Sequence, residues 1–552
     1  VLFAAVALGL RTPAQMWRLV GAVVLAGTLA ALVGIAQHWG LSPFGISGTA
    51  GNRVTGPAGN PIFLGALLVL TLPLALGAVS AWAVRRGTPA WWWAGAGVLA
   101  FVHLFALVLT IARGPWLGTA FAMAVLLVLA WMRLGAGLAA RLAVVTGASA
   151  GAAILALSIP VGGARAPVDE PAAVMDSAAP VTQAAAPATQ STAVAYEEIG
   201  ARLEGSSIAA GVSGRRTRWE TSLRLLRDRP DLPLGSNRPW AVRSLVGYGP
   251  DSFRYAFPLE APAALSTVLT TAAHNDPLTR AVELGLLGFI AYAALAAAAV
   301  AVLVSRFRLG AAGNVEAALL TGVAAALVGR FVEQQVGIAQ VSDTLVFWLL
   351  MGLLAAAPAA LAAPGAGQSR AAPPASASHA LGLLAVSGVA ALAIGVALLT
   401  WVKNVGYLQA DHAASSARVL FGRDSGAALE VVERAISMAP DVPGYRHLKA
   451  SMLRSVAAAT TDPLRARTLI VEAYGSDREA FELNPFSRQA SFILADSAWG
   501  LAQAGFPQGA VEALEAYERL ARLSPQDPLV WDRLGRLYDA LDVDPALRLA
   551  PH

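Results

Sequence analysis

The chain contains no cysteine and has few charged residues. Of its 552 residues, 14% are charged and 56% are hydrophobic, and the mean hydropathy is +0.58. The missing cysteine excludes disulfides, thiolate metal sites and cysteine nucleophiles. The net charge of +5 is small and the arginines are dispersed, which argues against the basic surface of a nucleic-acid-binding protein. This composition is typical of a membrane protein.

Long apolar runs recur through the first three quarters of the chain, and each has about the 20 residues that a helix needs to cross a bilayer. They lie at 17–39, 61–84, 91–111, 114–132, 139–160, 279–304, 315–339, 341–363 and 379–402. Because the alternation typical of barrel strands is absent, the runs predict an all-α, polytopic transmembrane helical bundle. The chain begins at Val1 inside an apolar run, without Met, and we therefore expect membrane helices upstream of it.

The arginines of the short connections predict the orientation. Pairs such as Arg85 and Arg86, or Arg306 and Arg308, occupy alternate connections, and short loops rich in Lys or Arg stay in the cytoplasm. The loop 161–277 and the part of the chain after residue 402 are thus predicted to lie outside a bacterial cytoplasmic (inner) membrane, on its periplasmic side.

The composition divides the chain into four parts. The predicted parts are transmembrane helices at 1–160, an external loop at 161–277, transmembrane helices at 278–402 and a soluble helical domain at 403–552. Within the loop, the Ala/Pro/Thr/Ser tract 164–195 is predicted to be disordered. An amphipathic helix near 216–229 is expected to lie on the membrane surface.

The C-terminal part contains a repeated pattern. Three amphipathic helix ends are closed by Pro440, Pro485 and Pro525, which lie 45 and 40 residues apart. The pattern resembles tetratricopeptide repeats, although it is longer than their period of about 34 residues. We expect a degenerate array of two to three repeats.

The motif with the strongest indication of catalysis lies where the loop 161–277 meets the next apolar run. His274-Asn275 is followed by Leu278 and then by Glu283-x-Gly285-x-x-Gly288. Ionisable groups at the border of a membrane helix are costly and indicate function. The pattern resembles the signature of the O-antigen ligase and polymerase superfamily, integral membrane enzymes that move lipid-linked glycans.

Three arginines stand in contexts that also resemble this superfamily. Arg53 precedes a span. Arg113 is in a turn similar to the family's Ser-Arg-Gly, with Ala112 in place of Ser. Arg215 and Trp219 are similar to its Ser-Gly-Arg-x-x-x-Trp element. An insertion, roughly 231–245, separates this element from the Gly-rich stretch that follows it in the family. The resemblance implies a GT-C-like membrane glycosyltransferase.

The resemblance also implies roles for these residues. A neutral His274 suits proton removal from an acceptor hydroxyl. Arg53, Arg113 and Arg215 suit pyrophosphate binding, because a guanidinium binds phosphate oxygens bidentately. Glu283 could orient His274 or bind the acceptor.

Simpler roles remain open for each residue. His274 could cap the helix that follows it, and Arg53 and Arg113 could anchor the protein at lipid headgroups. Arg215, which has basic neighbours, could attract anionic lipid. Arg330 and Glu333, in a late apolar run, are expected to form a buried structural ion pair.

No metal or other cofactor is predicted. The loop 40–60 holds no Asp or Glu, and the chain's Asp-x-Asp, Asp542 and Asp544, stands near its end. We therefore expect a metal-independent transfer of a glycan from undecaprenyl pyrophosphate to a hydroxyl of a lipid, glycan or protein.

Three other functions compete with this one. Polymerase and protein O-oligosaccharyltransferase share the signature, and the repeat domain offers a surface suited to a protein partner. A lipid-linked sugar transporter or flippase is the alternative of another class, but it would place charges at the middle of the membrane. Here they gather at the outer ends of the spans.

Overall fold

The structure is a computed structural model that describes residues 2–41, 43, 49–50, 53–86, 89–157, 205–232, 240–266, 268–308, 314–361, 378–544, 546 and 548–549. The tract 164–195, predicted to be disordered, lies outside the described residues. The chain divides into two compact units. The first comprises 1–223, 244–250 and 272–366, and the second comprises 224–243, 251–271 and 367–552.

The described residues are mainly helical. The helices are α1 (Leu2–Gly9), α2 (Pro13–His38), α3 (Pro61–Arg86), α4 (Ala90–Leu109), α5 (Arg113–Leu134), α6 (Ala136–Ala156), α7 (Gly205–Asp228), α8 (Trp240–Val246), α9 (Phe253–Glu260), α10 (Ala263–Ser266), α11 (Asp276–Arg308), α12 (Asn314–Gln334), α13 (Val341–Leu361), α14 (Ser378–Phe421), α15 (Ser425–Met438), α16 (Pro443–Ala459), α17 (Pro463–Leu483), α18 (Arg488–Gln503), α19 (Gln508–Leu523) and α20 (Pro528–Ala540). A two-stranded antiparallel ribbon joins β1 (Thr49–Ala50) to β2 (Arg53–Val54).

Seven helices of the described part are long and apolar enough to cross a membrane, namely α2 to α6, α11 and α12. They match the first seven predicted spans, and the chain is an all-α polytopic membrane protein. The apolar part of α13, Val341–Ala357, is shorter.

Helices α3, α5 and α12 form the centre of the first unit. Glycines allow them to approach closely. A methyl group added at Gly77 would lie 2.6 Å from the Cα of Gly322, and one added at Gly118 would lie 2.7 Å from the carbonyl oxygen of Gly329. Small residues at such crossings let helices pack in a membrane, where the hydrophobic effect does not drive them together. In contrast, α11 exposes most of its apolar side chains, as a lipid-facing helix does.

The second unit contains a helical array. Consecutive helices pack in pairs, α14 with α15, α16 with α17, and α18 with α19, and α20 completes the series. Helices α15, α17 and α19 each end two residues before the prolines of the repeated pattern, as the sequence predicted. The assignment to tetratricopeptide repeats stays a prediction. The boundary predicted at residue 402 falls inside the continuous helix α14.

Helix α9 of the external loop belongs to this second unit and packs on α19. The amide of Asn484 donates to the hydroxyl of Tyr255 at 3.2 Å. The ring of Phe486 lies 6.1 Å from the ring of Tyr255. Part of the predicted external loop is therefore packed against the C-terminal helices.

Candidate active site

Arg53 contacts the turn between α4 and α5, and Arg113 follows this turn in the chain. The Nε of Arg53 donates to the carbonyl of Thr110 at 2.9 Å, and Thr110 is the C-cap of α4. Ile111 has a φ of 48°, a left-handed conformation that is unusual for a β-branched residue, and Arg113 then begins α5. The tight reversal of the chain thus brings one predicted arginine beside the start of the helix that carries the other.

Helix α7 presents arginines on two different faces. Arg216 forms an exposed ion pair with Glu220 at 2.7 Å. Arg215 and Arg218, three residues apart, share the other face and are half-buried. Burial, followed by the charges of Arg113 and Arg218, lowers the pKa of the Arg215 guanidinium. Arg113 and Arg218 therefore each lie near Arg215.

His274 lies beside this cluster in a left-handed backbone conformation, with a φ of 55°. Burial, and then the charges of Arg218 and Arg215, lower the pKa of the half-buried imidazole to about 4. The imidazole is therefore neutral at physiological pH and can accept a proton. A non-glycine residue in this backbone conformation is strained, and such strain clusters at functional sites.

Asn275, the residue after His274, caps α11. Its Oδ1 accepts the N–H of Leu278 at 2.9 Å, and its Nδ2 donates to the carbonyl of Gln335 at 3.2 Å. The structure thus gives the capping role to Asn275, against the alternative in which His274 caps this helix. The same asparagine ties the end of the loop to the residues after α12.

Helix α11 is broken at Gly285, where φ is 64° and ψ is −162°. Two carbonyls next to the break accept hydrogen bonds from the loop that precedes the helix. The N–H of Tyr248 donates to Val282 at 3.1 Å, and the N–H of Gly249 donates to Glu283 at 2.7 Å. We call this arrangement of residues 247–249 on 282–285 the backbone clip.

The backbone clip requires glycine on both sides. A Cβ at Gly247 would lie 2.4 Å from the carbonyl oxygen of Glu283, and a Cβ at Gly285 would lie 2.5 Å from the nitrogen of Gly247. Glu283 contributes its main-chain carbonyl to the clip. A catalytic role for its carboxylate stays a prediction.

The ion pair predicted between Arg330 and Glu333 is confirmed, and the structure adds a third member. Arg330 contacts Glu333, and its Nη2 lies 2.8 Å from Oδ2 of Asp343. All three side chains are fully buried. An ion cluster of this kind fixes how α12 and α13 pack, because separating its members would leave buried charges without partners.

Sequence reasoning did not select Arg218, although its charge acts on His274. Its Nη1 donates to the carbonyl of Gly214 at 3.0 Å. The signal that could have identified it is its spacing of three residues from Arg215, which places both on one helix face. The structure brings Arg113, Arg215 and His274 together and adds Arg218, and it places Arg53 at the turn beside Arg113.

The fold and the site define a multi-pass membrane protein in which Arg215 and Arg218 lie near a neutral histidine, His274. Residues 96–293 match the family model described as O-antigen ligase. The match covers 198 of the 552 residues and supports the resemblance to the O-antigen ligase superfamily that the sequence motifs indicated. No curated protein and no solved structure gives a significant match.

The matched segment contains Arg113, Arg215, His274 and Glu283, whereas Arg53 precedes it. The match supports a glycosyltransferase-like activity in general.

Proposed function

We propose that this protein transfers a glycan from an undecaprenyl-pyrophosphate carrier to a hydroxyl acceptor. In this proposal His274 is the general base, and Arg53, Arg113 and Arg215 bind the pyrophosphate, joined by Arg218. The transfer needs no metal ion, because the guanidinium groups supply the positive charge. The site faces the periplasm, as the arginine distribution in the sequence predicts.

One observation carries the proposal: a neutral imidazole lies within the electrostatic reach of Arg215 and Arg218, and Arg113 lies near Arg215. Arg113 and Arg218 both repel Arg215, and this repulsion is unfavourable until an anion binds. A diphosphate removes that cost, because its oxygens accept charge-assisted hydrogen bonds from the guanidinium forks. The same cations keep His274 unprotonated and ready to act as a base.

The reaction then follows from the charges. His274 takes the proton of the acceptor hydroxyl while the acceptor oxygen attacks the anomeric carbon of the glycan. The bond from that carbon to the pyrophosphate oxygen breaks, and its electron pair stays on the leaving group. The arginines stabilise the negative charge that develops there, as fixed cations do in a water-poor site. The proton leaves His274 for solvent, and the base is restored.

The acceptor can be a hydroxyl of a lipid, a glycan or a protein, since ligation and polymerisation share this chemistry. The array α14–α20 is compatible with a protein acceptor or partner, because helical repeats often bind polypeptides. No other observation favours a protein acceptor. A transporter would use a break such as the one at Gly285 to coordinate its substrate. Here the carbonyls of Val282 and Glu283 at this break already accept hydrogen bonds from Tyr248 and Gly249.

The experiment that tests the arginine roles is a transfer assay with a defined lipid-linked donor. Arg53→Lys, Arg113→Lys and Arg215→Lys keep the charge but lose the bidentate fork. We expect weaker donor binding and slower transfer for at least two of them, and no effect of a chelator.

Arg216→Lys is the matched control, because Arg216 lies on the exposed face of the same helix with Glu220. Full activity in all three test variants would reject pyrophosphate binding by the arginines. Activity that disappears with chelator would reject the metal-independent mechanism.

A further inference from the structure

Gln37, at the end of α2, makes an unusual set of hydrogen bonds for a side chain at the end of a membrane helix. Its Oε1 accepts the N–H of Gly56 at 2.8 Å and the N–H of Thr55 at 3.1 Å. Its Nε2 lies 3.4 Å from the carbonyl of Gly56, to which it donates. The side chain is 3% exposed, so these bonds form away from water.

The segment that Gln37 holds is the one that carries Arg53. Residues 53–56 contain β2 and the turn after it, and Val54 is fully buried. Gly56 has a φ of 54°, and a Cβ there would lie 3.0 Å from Leu64 and 3.2 Å from the carbonyl of Ala30. The turn is therefore seated tightly on α2 and α3, and an amide side chain satisfies its backbone.

Arg53 is fixed from both ends. Its backbone pairs with Ala50 in the ribbon. Shortly after it in the chain, the N–H groups of Thr55 and Gly56 are held by Gln37. Its Nε is held by Thr110 at 2.9 Å. A hydrogen bond through Nε restrains the orientation of the planar guanidinium.

We propose that Gln37 is a positioning residue that sets the geometry of Arg53 for diphosphate binding. The inference rests on the proposed function, in which Arg53 binds the pyrophosphate of the donor. Gln37 does not touch the donor. It acts by holding the main chain of Thr55 and Gly56, so that the Arg53 fork occupies one arrangement before the ligand arrives.

The test replaces Gln37 by methionine, which has a similar length but no amide. Calorimetry with inorganic pyrophosphate on the purified full chain measures the Kd. We expect the Kd to rise about 10-fold, because a segment that adopts its binding arrangement a tenth of the time binds correspondingly more weakly. Thr28→Val is the control, since it removes a hydroxyl of α2 that bonds within the helix, to Val24, and we expect an unchanged Kd.

The decisive measurement is the same substitution in an Arg53→Gln background. If Gln37 acts through Arg53, Gln37→Met adds no further loss there, because contacting residues in one network are not additive. An equal loss in both backgrounds would overturn the positioning role and make Gln37 a general structural residue. An unchanged Kd in the Gln37→Met single variant would also overturn it.

Gln37→Asn gives a second route if the methionine variant does not fold. Its amide is one methylene shorter and cannot reach both N–H groups, and the same dependence on Arg53 is expected with a smaller loss. If the parent protein does not bind pyrophosphate at all, the diphosphate site of the proposed function fails and the role of Gln37 fails with it. If the parent binds pyrophosphate and the losses caused by Gln37→Met and Arg53→Gln add, only the role of Gln37 is rejected.

Discussion

Replacing Gly285 by alanine should disable the enzyme while leaving the membrane bundle folded. Gly285 has a φ of 64° and a ψ of −162°, a region that is essentially restricted to glycine and costs other residues about 1–3 kcal/mol. The added methyl would also lie 2.5 Å from backbone atoms of Leu245 and Gly247. Because backbone cannot rotate out of the way as a side chain does, residues 245–249 must move.

The movement breaks the two hydrogen bonds of the backbone clip, each worth about 0.5–1.5 kcal/mol net. The hydrogen bonds favour the closed clip in parent and variant alike, whereas the backbone strain of about 1–3 kcal/mol disfavours it only in the variant. Since 1.4 kcal/mol corresponds to a factor of ten, the strain alone reduces the ratio of closed to open clip by about 5-fold to 140-fold. Glycan transfer should fall by a factor in this range, because the clip joins the loop before His274 to the helix that begins just after it.

The assay is glycan transfer by purified variants, with thermal unfolding measured on the same samples. Gly147→Ala is the matched control, because Gly147 lies within α6 and an added Cβ there meets no atom within 4 Å. That variant should keep full transfer. If Gly285→Ala transfers within about threefold of the parent, the break in α11 is not needed for the site and the reasoning is wrong.

The charges around His274 and along the chain lead to four further predictions. Activity needs the neutral imidazole, whose pKa is lowered from the ordinary histidine value of 6.5 to about 4. As the pH is lowered, kcat/KM should therefore fall to half its plateau value near pH 4. Arg218→Gln should move this midpoint to higher pH, whereas an unmoved midpoint would remove Arg218 from the site. The unfolded chain takes up this proton more readily than the folded chain, so the contribution of His274 to stability should decline as the pH falls from 6.5 towards 4. Reporter domains fused after residue 200 and at the C-terminus should both behave as exported, and a cytoplasmic signal from either would place His274 on the wrong side.

The spans and most of the candidate site could be predicted from local sequence. A membrane helix is recognised by a continuous apolar run, and seven predicted spans match helices. His274 and the arginines stood out because ionisable groups beside apolar runs are few. Their convergence depends on the chain reversal before Arg113, where the sequence predicted a turn but not the left-handed conformation of Ile111.

The backbone clip could not be predicted in the same way. Gly285 belongs to the motif Glu283-x-Gly285-x-x-Gly288, but this motif does not indicate a break in the helix. The partners of the break, Tyr248 and Gly249, come from a loop that precedes the helix. The hydrogen bonds are made by main chain, so no side-chain chemistry identifies them. The hydrogen bonds of Gln37 could not be predicted either, because an amide side chain near a helix end has many possible partners.

The measurement that tests the central claim most directly compares transfer and donor binding in His274→Ala. A general base contributes typically about 10²–10⁴-fold, and the loss should fall on the rate of transfer, while inorganic pyrophosphate still binds through the arginines. His412→Ala, at an exposed position of α14, is the control and should keep full transfer. Transfer lost by a factor of 100 or more in His274→Ala, with pyrophosphate binding retained, is the result we predict. Near-normal transfer by this variant would contradict the assignment of His274 as the base.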